Sequence, residues 1–86
     1  MTIKLYSKLG CPACDITKHR LTEWGYEFEE INVSVSKEGY DFLIENKHRT
    51  VPQIYYTDTQ FVPDGATGIA VLGKDGFQRL LEQGDH

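Results

Sequence analysis

The chain has 86 residues, of which 40% are hydrophobic and 26% charged, and its net charge is −4. That length supports one domain over residues 1–86 with no room for a second core, and the composition excludes a disordered chain. No segment is long enough to cross a bilayer; the basic residues are scattered, Lys37, Lys47 and Arg49 being the nearest to a cluster, which excludes a nucleic-acid backbone binder.

Residues 2–6 alternate polar and apolar side chains, the pattern of a half-buried strand. Residues 7–10 form a loop, and a helix opens at Pro12, where the missing proline N–H costs nothing. Cys14, Thr17, Leu21 and Trp24 recur at spacings of three, four and three residues, which gives this helix one inward face; Gly25 is a natural stop. Residues 26–33, rich in aromatic and β-branched side chains, predict a second strand. A second helix follows over 36–46, with Tyr40, Leu43 and Ile44 toward the core and Gly39 weakening it. Residues 53–57 predict a third strand and the apolar run 69–72 a short fourth. Between them, residues 58–68 contain Pro63, Asp64, Gly65 and Gly68 and read as a long hairpin loop. Residues 74–83 close the chain as a helix carrying Phe77, Leu80 and Leu81 on one side.

The order strand–helix–strand–helix–strand–strand–helix predicts an α/β fold (βαβαββα) of three helices on a four-stranded mixed sheet. A helical crossover makes the first two strands parallel, and a hairpin makes the last two antiparallel.

Cys11-Pro12-Ala13-Cys14 sets two sulfurs three residues apart at a helix start, within disulfide reach on one side of the first turn. Cys11 sits at the cap, where unpaired backbone N–H groups and the helix dipole favour an anion. A thiolate is stabilised there, and the thiolate is the attacking species. Cys14, one turn in and further from that field, suits the resolving role, attacking a mixed disulfide on Cys11 and releasing the product. Lys8 adds positive charge three residues before Cys11 and is a candidate partner for a substrate carboxylate. Residues 1–8 carry no apolar core of signal-peptide length, so the expected location is the cytosol. In that reducing compartment two cysteines point to catalysis or metal binding rather than to a structural staple. The metal alternative is a zinc site completed by His19 and His48.

Tyr6-Ser7-Lys8, the Cys11–Cys14 motif and Thr50-Val51-Pro52-Gln53-Ile54 together resemble the glutaredoxin family over essentially the whole chain. The size is similar to that of the compact dithiol glutaredoxins of bacteria and their viruses. The resemblance implies a thioredoxin-like fold and a glutathione-dependent thiol–disulfide oxidoreductase, monomeric, with no bound cofactor or metal. It implies glutathione as co-substrate and disulfide-containing proteins such as ribonucleotide reductase as partners, with no nucleic acid and no membrane. The residues alone read Pro52 as trans; the resemblance implies a cis bond, which aims the Val51 N–H and C=O at a bound peptide with Thr50 beside them. It further implies that Gly73, Lys74 and Asp75, at the start of the last helix, hold the charged γ-glutamyl end. Ala13 stands where many members have tyrosine, only one of the family's paired glycines is present, and the 58–68 loop is longer than usual. Two alternatives stand beside this reading: a redoxin of the NrdH type, reduced by thioredoxin reductase, and a module binding a metal or an iron–sulfur cluster.

Overall fold

A computed structural model describes residues 3–56, 62 and 65–84. Strand β1 (Ile3–Ser7) leads into helix α1 (Pro12–Glu23), then β2 (Phe28–Asn32), α2 (Lys37–Glu45), β3 (Gln53–Tyr55) and α3 (Gly65–Gly84). The sheet order is β2-β1-β3, with β1 parallel to β2 and antiparallel to β3. The parallel crossover and the three helices agree with the sequence expectation.

Each helix start has a local cause. Cys11 caps α1 in extended backbone, and Pro12 occupies the first turn. Ser36 caps α2, its Oγ accepting from the Gly39 N–H at 3.1 Å. Gly39 itself is a packing requirement, because a Cβ there would lie 2.5 Å from Ile31 Cγ2. The glycine that weakens the helix on propensity therefore lets α2 settle against β2.

Helices α1 and α3 pack on one face of the sheet, where Leu5, Leu21, Ile54, Ile69 and Phe77 are fully buried. The other face carries Tyr6, Leu43 and Tyr55, with Phe42 and Val51 packed against them. Phe42 stacks on Tyr6 with ring centroids 5.1 Å apart and meets Tyr55 edge-on.

Two expectations are corrected. Among the described residues the sheet has three strands, not four, because residues 69–72 are helical and belong to α3. Four consecutive apolar residues carry no period that separates strand from helix. In the fold Ile69 is buried and Leu72, one turn on, packs against the same core, while Val71 points to solvent. Residues 65–68, placed in the hairpin loop by sequence, form the first turn of this helix, and residues 58–61, 63 and 64 lie outside the described residues. The helical run therefore begins at Gly65 and is divided at Gly73, with φ 67° and ψ −177°, so that the segment after Gly73 starts where the sequence places the closing helix. On α2 the inward face is turned by one position. Leu43 is buried as expected, but Tyr40 and Ile44 are each 52% exposed, and Gly39 and Phe42 face the sheet instead. Among the described residues no helix is long and apolar enough to cross a membrane.

Candidate active site

Strand β1 ends at Ser7, and the loop that follows delivers Cys11 to the start of α1. Cys11 and Cys14 are joined in a disulfide with Cα atoms 5.2 Å apart. Both cysteines are buried, Cys14 (1% exposed) more completely than Cys11 (8%). The Cys14 N–H donates to Cys11 Sγ at 3.1 Å. A first-turn N–H with no helical acceptor is thus aimed at this sulfur, where a helix start favours negative charge.

The segment Thr50-Val51-Pro52 comes from forty residues further on and faces this sulfur. Cys11 Sγ lies 3.9 Å from the Val51 carbonyl oxygen, and the Val51–Pro52 peptide bond is cis. Gln53, buried at the start of β3, braces the segment: its Nε2 donates to the Thr50 carbonyl at 2.9 Å. A groove of about 770 Å³ runs alongside, lined by Ala13 from α1, by Thr50, Val51 and Pro52, and by Ala66 and Thr67 from the start of α3. Gly65 has φ +52°, and a Cβ there would collide with the Pro52 carbonyl oxygen, so the N-terminus of α3 is pressed against the cis-proline.

Of the residues singled out from sequence, the fold brings together Cys11, Cys14, Thr50, Val51 and Pro52. Lys8 is exposed and lines an adjoining cavity with Arg49, Thr50 and Val51. Gly73, Lys74 and Asp75 are not among the described residues lining either cavity. They sit at the interruption of α3, eight residues beyond Gly65, about 12 Å away by helical rise. Sequence reasoning passed over Ala66 and Thr67; the available signal was Asp64-Gly65 following Pro63, a helix entry read as part of a hairpin loop. In the sequence Arg49 stands out only as one basic residue near Lys37 and Lys47.

Charged groups behind the dithiol are paired. Ser7 Oγ, fully buried, donates to Glu30 Oε2 at 2.8 Å, and Lys18 Nζ reaches the same oxygen at 3.0 Å. The Lys18 ammonium, with the Ser7 hydroxyl, holds the Glu30 carboxyl below the usual carboxylate range, and Glu30 in turn holds Lys18 above the ordinary lysine value. His48 Nε2 pairs with the Tyr55 hydroxyl at 2.6 Å; burial pushes His48 down and Tyr55 up, which favours the neutral form of each. His19 meets Glu23 on the outer side of α1 at 2.8 Å. Among the described residues no group of three or more His, Cys, Asp or Glu side chains is placed to hold a metal ion.

Comparison with known proteins agrees with this geometry. The family model described as Glutaredoxin matches residues 3–62. The Glutaredoxin-like protein NrdH of Salmonella typhimurium is 31% identical over 67 residues, covering 74% of this chain and 83% of that protein. The Gene 56 protein of Mycobacterium phage L5 is 28% identical over 57 residues, 66% of this chain but only 55% of the phage protein. The solution structure of glutaredoxin from Brucella melitensis superposes with a TM-score of 0.75 at 28% identity, covering 100% of this chain and 94% of that one.

Proposed function

The chain belongs to the glutaredoxin family, thiol–disulfide oxidoreductases on a thioredoxin-like fold, and from that premise we propose that it is a dithiol reductase that uses glutathione. The observation that carries the reading is the position of Cys11 Sγ, capped by the Cys14 N–H on one side and facing the Val51 carbonyl on the other.

The Cys11 thiolate attacks one sulfur of a substrate disulfide. That S–S bond breaks, the departing sulfur takes up a proton, and a mixed disulfide joins Cys11 to the substrate. Cys14, one turn into α1, attacks Cys11 Sγ and releases the second substrate thiol. The product is the Cys11–Cys14 disulfide present in this structure. A glutathione thiolate then attacks Cys11 Sγ and frees Cys14; a second glutathione attacks the bound glutathione sulfur, regenerates Cys11 and leaves as oxidised glutathione.

In this reading the cysteinyl backbone of glutathione pairs with the Val51 N–H and C=O like an added strand. Lys8 and Arg49 take one carboxylate, with Thr50 between them and the strand. The first turn of α3 at Ala66 and Thr67 takes the other end, the role expected from sequence for Gly73, Lys74 and Asp75. Protein disulfides, ribonucleotide reductase among them, are the proposed substrates, in a reducing compartment such as the cytosol.

The likeness to NrdH supports a second reading, in which the same dithiol is reduced by thioredoxin reductase. Two coupled assays on one disulfide substrate separate the two, the first with glutathione and glutathione reductase, the second with thioredoxin reductase. Turnover in the first is the expected result. Turnover in the second alone transfers the reductant to thioredoxin reductase and leaves the dithiol chemistry intact.

A further inference from the structure

A second cavity, of about 460 Å³, shares Val51 with the redox groove and extends from it toward α2. Its apolar wall includes Val33 and two residues one helical turn apart, Tyr40 and Ile44. Those two were expected in the core, and they are instead half-exposed on the same stripe of α2. Lys8 and Arg49 line the same cavity, and no carboxylate does so among the described residues. On a chain carrying 13 acidic and 9 basic side chains, an apolar floor edged by two cations is a local reversal of charge. The acids of α2, Glu38, Asp41 and Glu45, occupy other positions of that helix.

We propose that this cavity is a docking subsite for a polypeptide substrate, taking an apolar side chain next to an acidic one in the residues that flank the target disulfide. The proposal rests on the oxidoreductase reading above and adds a preference for the residues that flank the disulfide. Continuity through Val51 places the subsite within one or two residues of a cysteine held at Cys11. The stripe on α2 supplies apolar area, and Lys8 with Arg49 supplies the charge complement that a small symmetric disulfide cannot use. Burial of one leucine side chain accounts for about tenfold in rate or affinity, and reversal of the flanking charge weighs against the wrong peptide.

The test oxidises pre-reduced protein in single turnover, so that no reductant has to be chosen. Three cyclic disulfide peptides are compared, flanked by Leu-Glu, Leu-Lys or Ser-Glu, with hydroxyethyl disulfide as a substrate too small to reach α2. The Leu-Glu peptide is expected to react about tenfold faster than either other peptide. In Ile44→Ser, whose exposed position leaves the fold intact, the Leu-Glu rate is expected to fall to the Ser-Glu level while hydroxyethyl disulfide is reduced as before. Equal rates for the three peptides, with hydroxyethyl disulfide still reduced, overturn the subsite. Failure to reduce even hydroxyethyl disulfide overturns the oxidoreductase reading instead. The subsite is then judged on binding of the same peptides with S-methylated cysteines to the oxidised protein. Shifts of the Tyr40 and Ile44 amide resonances by the Leu-Glu peptide alone support it, and their absence overturns it.

Discussion

Gly65 and Pro52 are in such close apposition that a Cβ on residue 65 would overlap the Pro52 carbonyl oxygen, and Gly65 also holds a left-handed φ of +52°. One position thus fixes where α3 begins and where the segment at Pro52 lies. Gly65→Ala is expected to cost about 2 kcal/mol or more, combining the left-handed penalty with overpacking against backbone. Urea unfolding of the variant measures it; an unchanged midpoint would contradict the contact.

The N–H of Cys14 aims at Cys11 Sγ, so the reduced protein should hold Cys11 as a thiolate at neutral pH. The rate of iodoacetamide labelling of reduced Cys14→Ser against pH is expected to have its midpoint well below the free-thiol value of about 8.5. A midpoint at that value would mean that the helix start does nothing for the sulfur.

Glu30 accepts from Ser7 and pairs with Lys18, which depresses its carboxyl below the usual range. A depressed folded-state value contributes stability that is complete above the unfolded value of about 4.3 and is lost as pH falls through the folded one. Wild type is therefore expected to exceed Glu30→Gln in stability at pH 7, with the gap closing by pH 3. Both groups are partly exposed, so the gap is small and shrinks in salt. A gap independent of pH would remove the ion pair as its cause.

Arg49 lines the same cavity as Lys8 and Val51. If the two cations share a glutathione carboxylate, Arg49→Ala is expected to raise the KM for glutathione about tenfold, the worth of one charge-assisted hydrogen bond, with kcat nearly unchanged. Steady-state kinetics at varied glutathione reads this directly.

The dithiol was legible because its chemistry is local: a cap position, a proline and a spacing of three residues suffice. Cys14, Thr17 and Leu21 are buried as their periodicity predicts. The far side of the site was not legible in the same way. Residues 69–72 are four apolar residues in a row, and only the core around Ile69 and Phe77 decides that they coil. Taking them for a strand hid the helical segment that precedes Gly73, and with it Ala66 and Thr67, which stand beside Pro52 only because Gly65 lets two backbones touch. Tyr40 and Ile44 were misplaced for a related reason. Gly39, which propensity counts against the helix, is the residue on which α2 seats, and it turns both side chains outward.

The most direct measurement is the glutathione-coupled reduction of a glutathione mixed disulfide by wild type, Cys11→Ser and Cys14→Ser. Cys11→Ser is expected to fall to the uncatalysed background, whereas Cys14→Ser keeps activity because glutathione itself can resolve the mixed disulfide on Cys11. Wild-type activity in Cys11→Ser would contradict the assignment of Cys11 as the nucleophile.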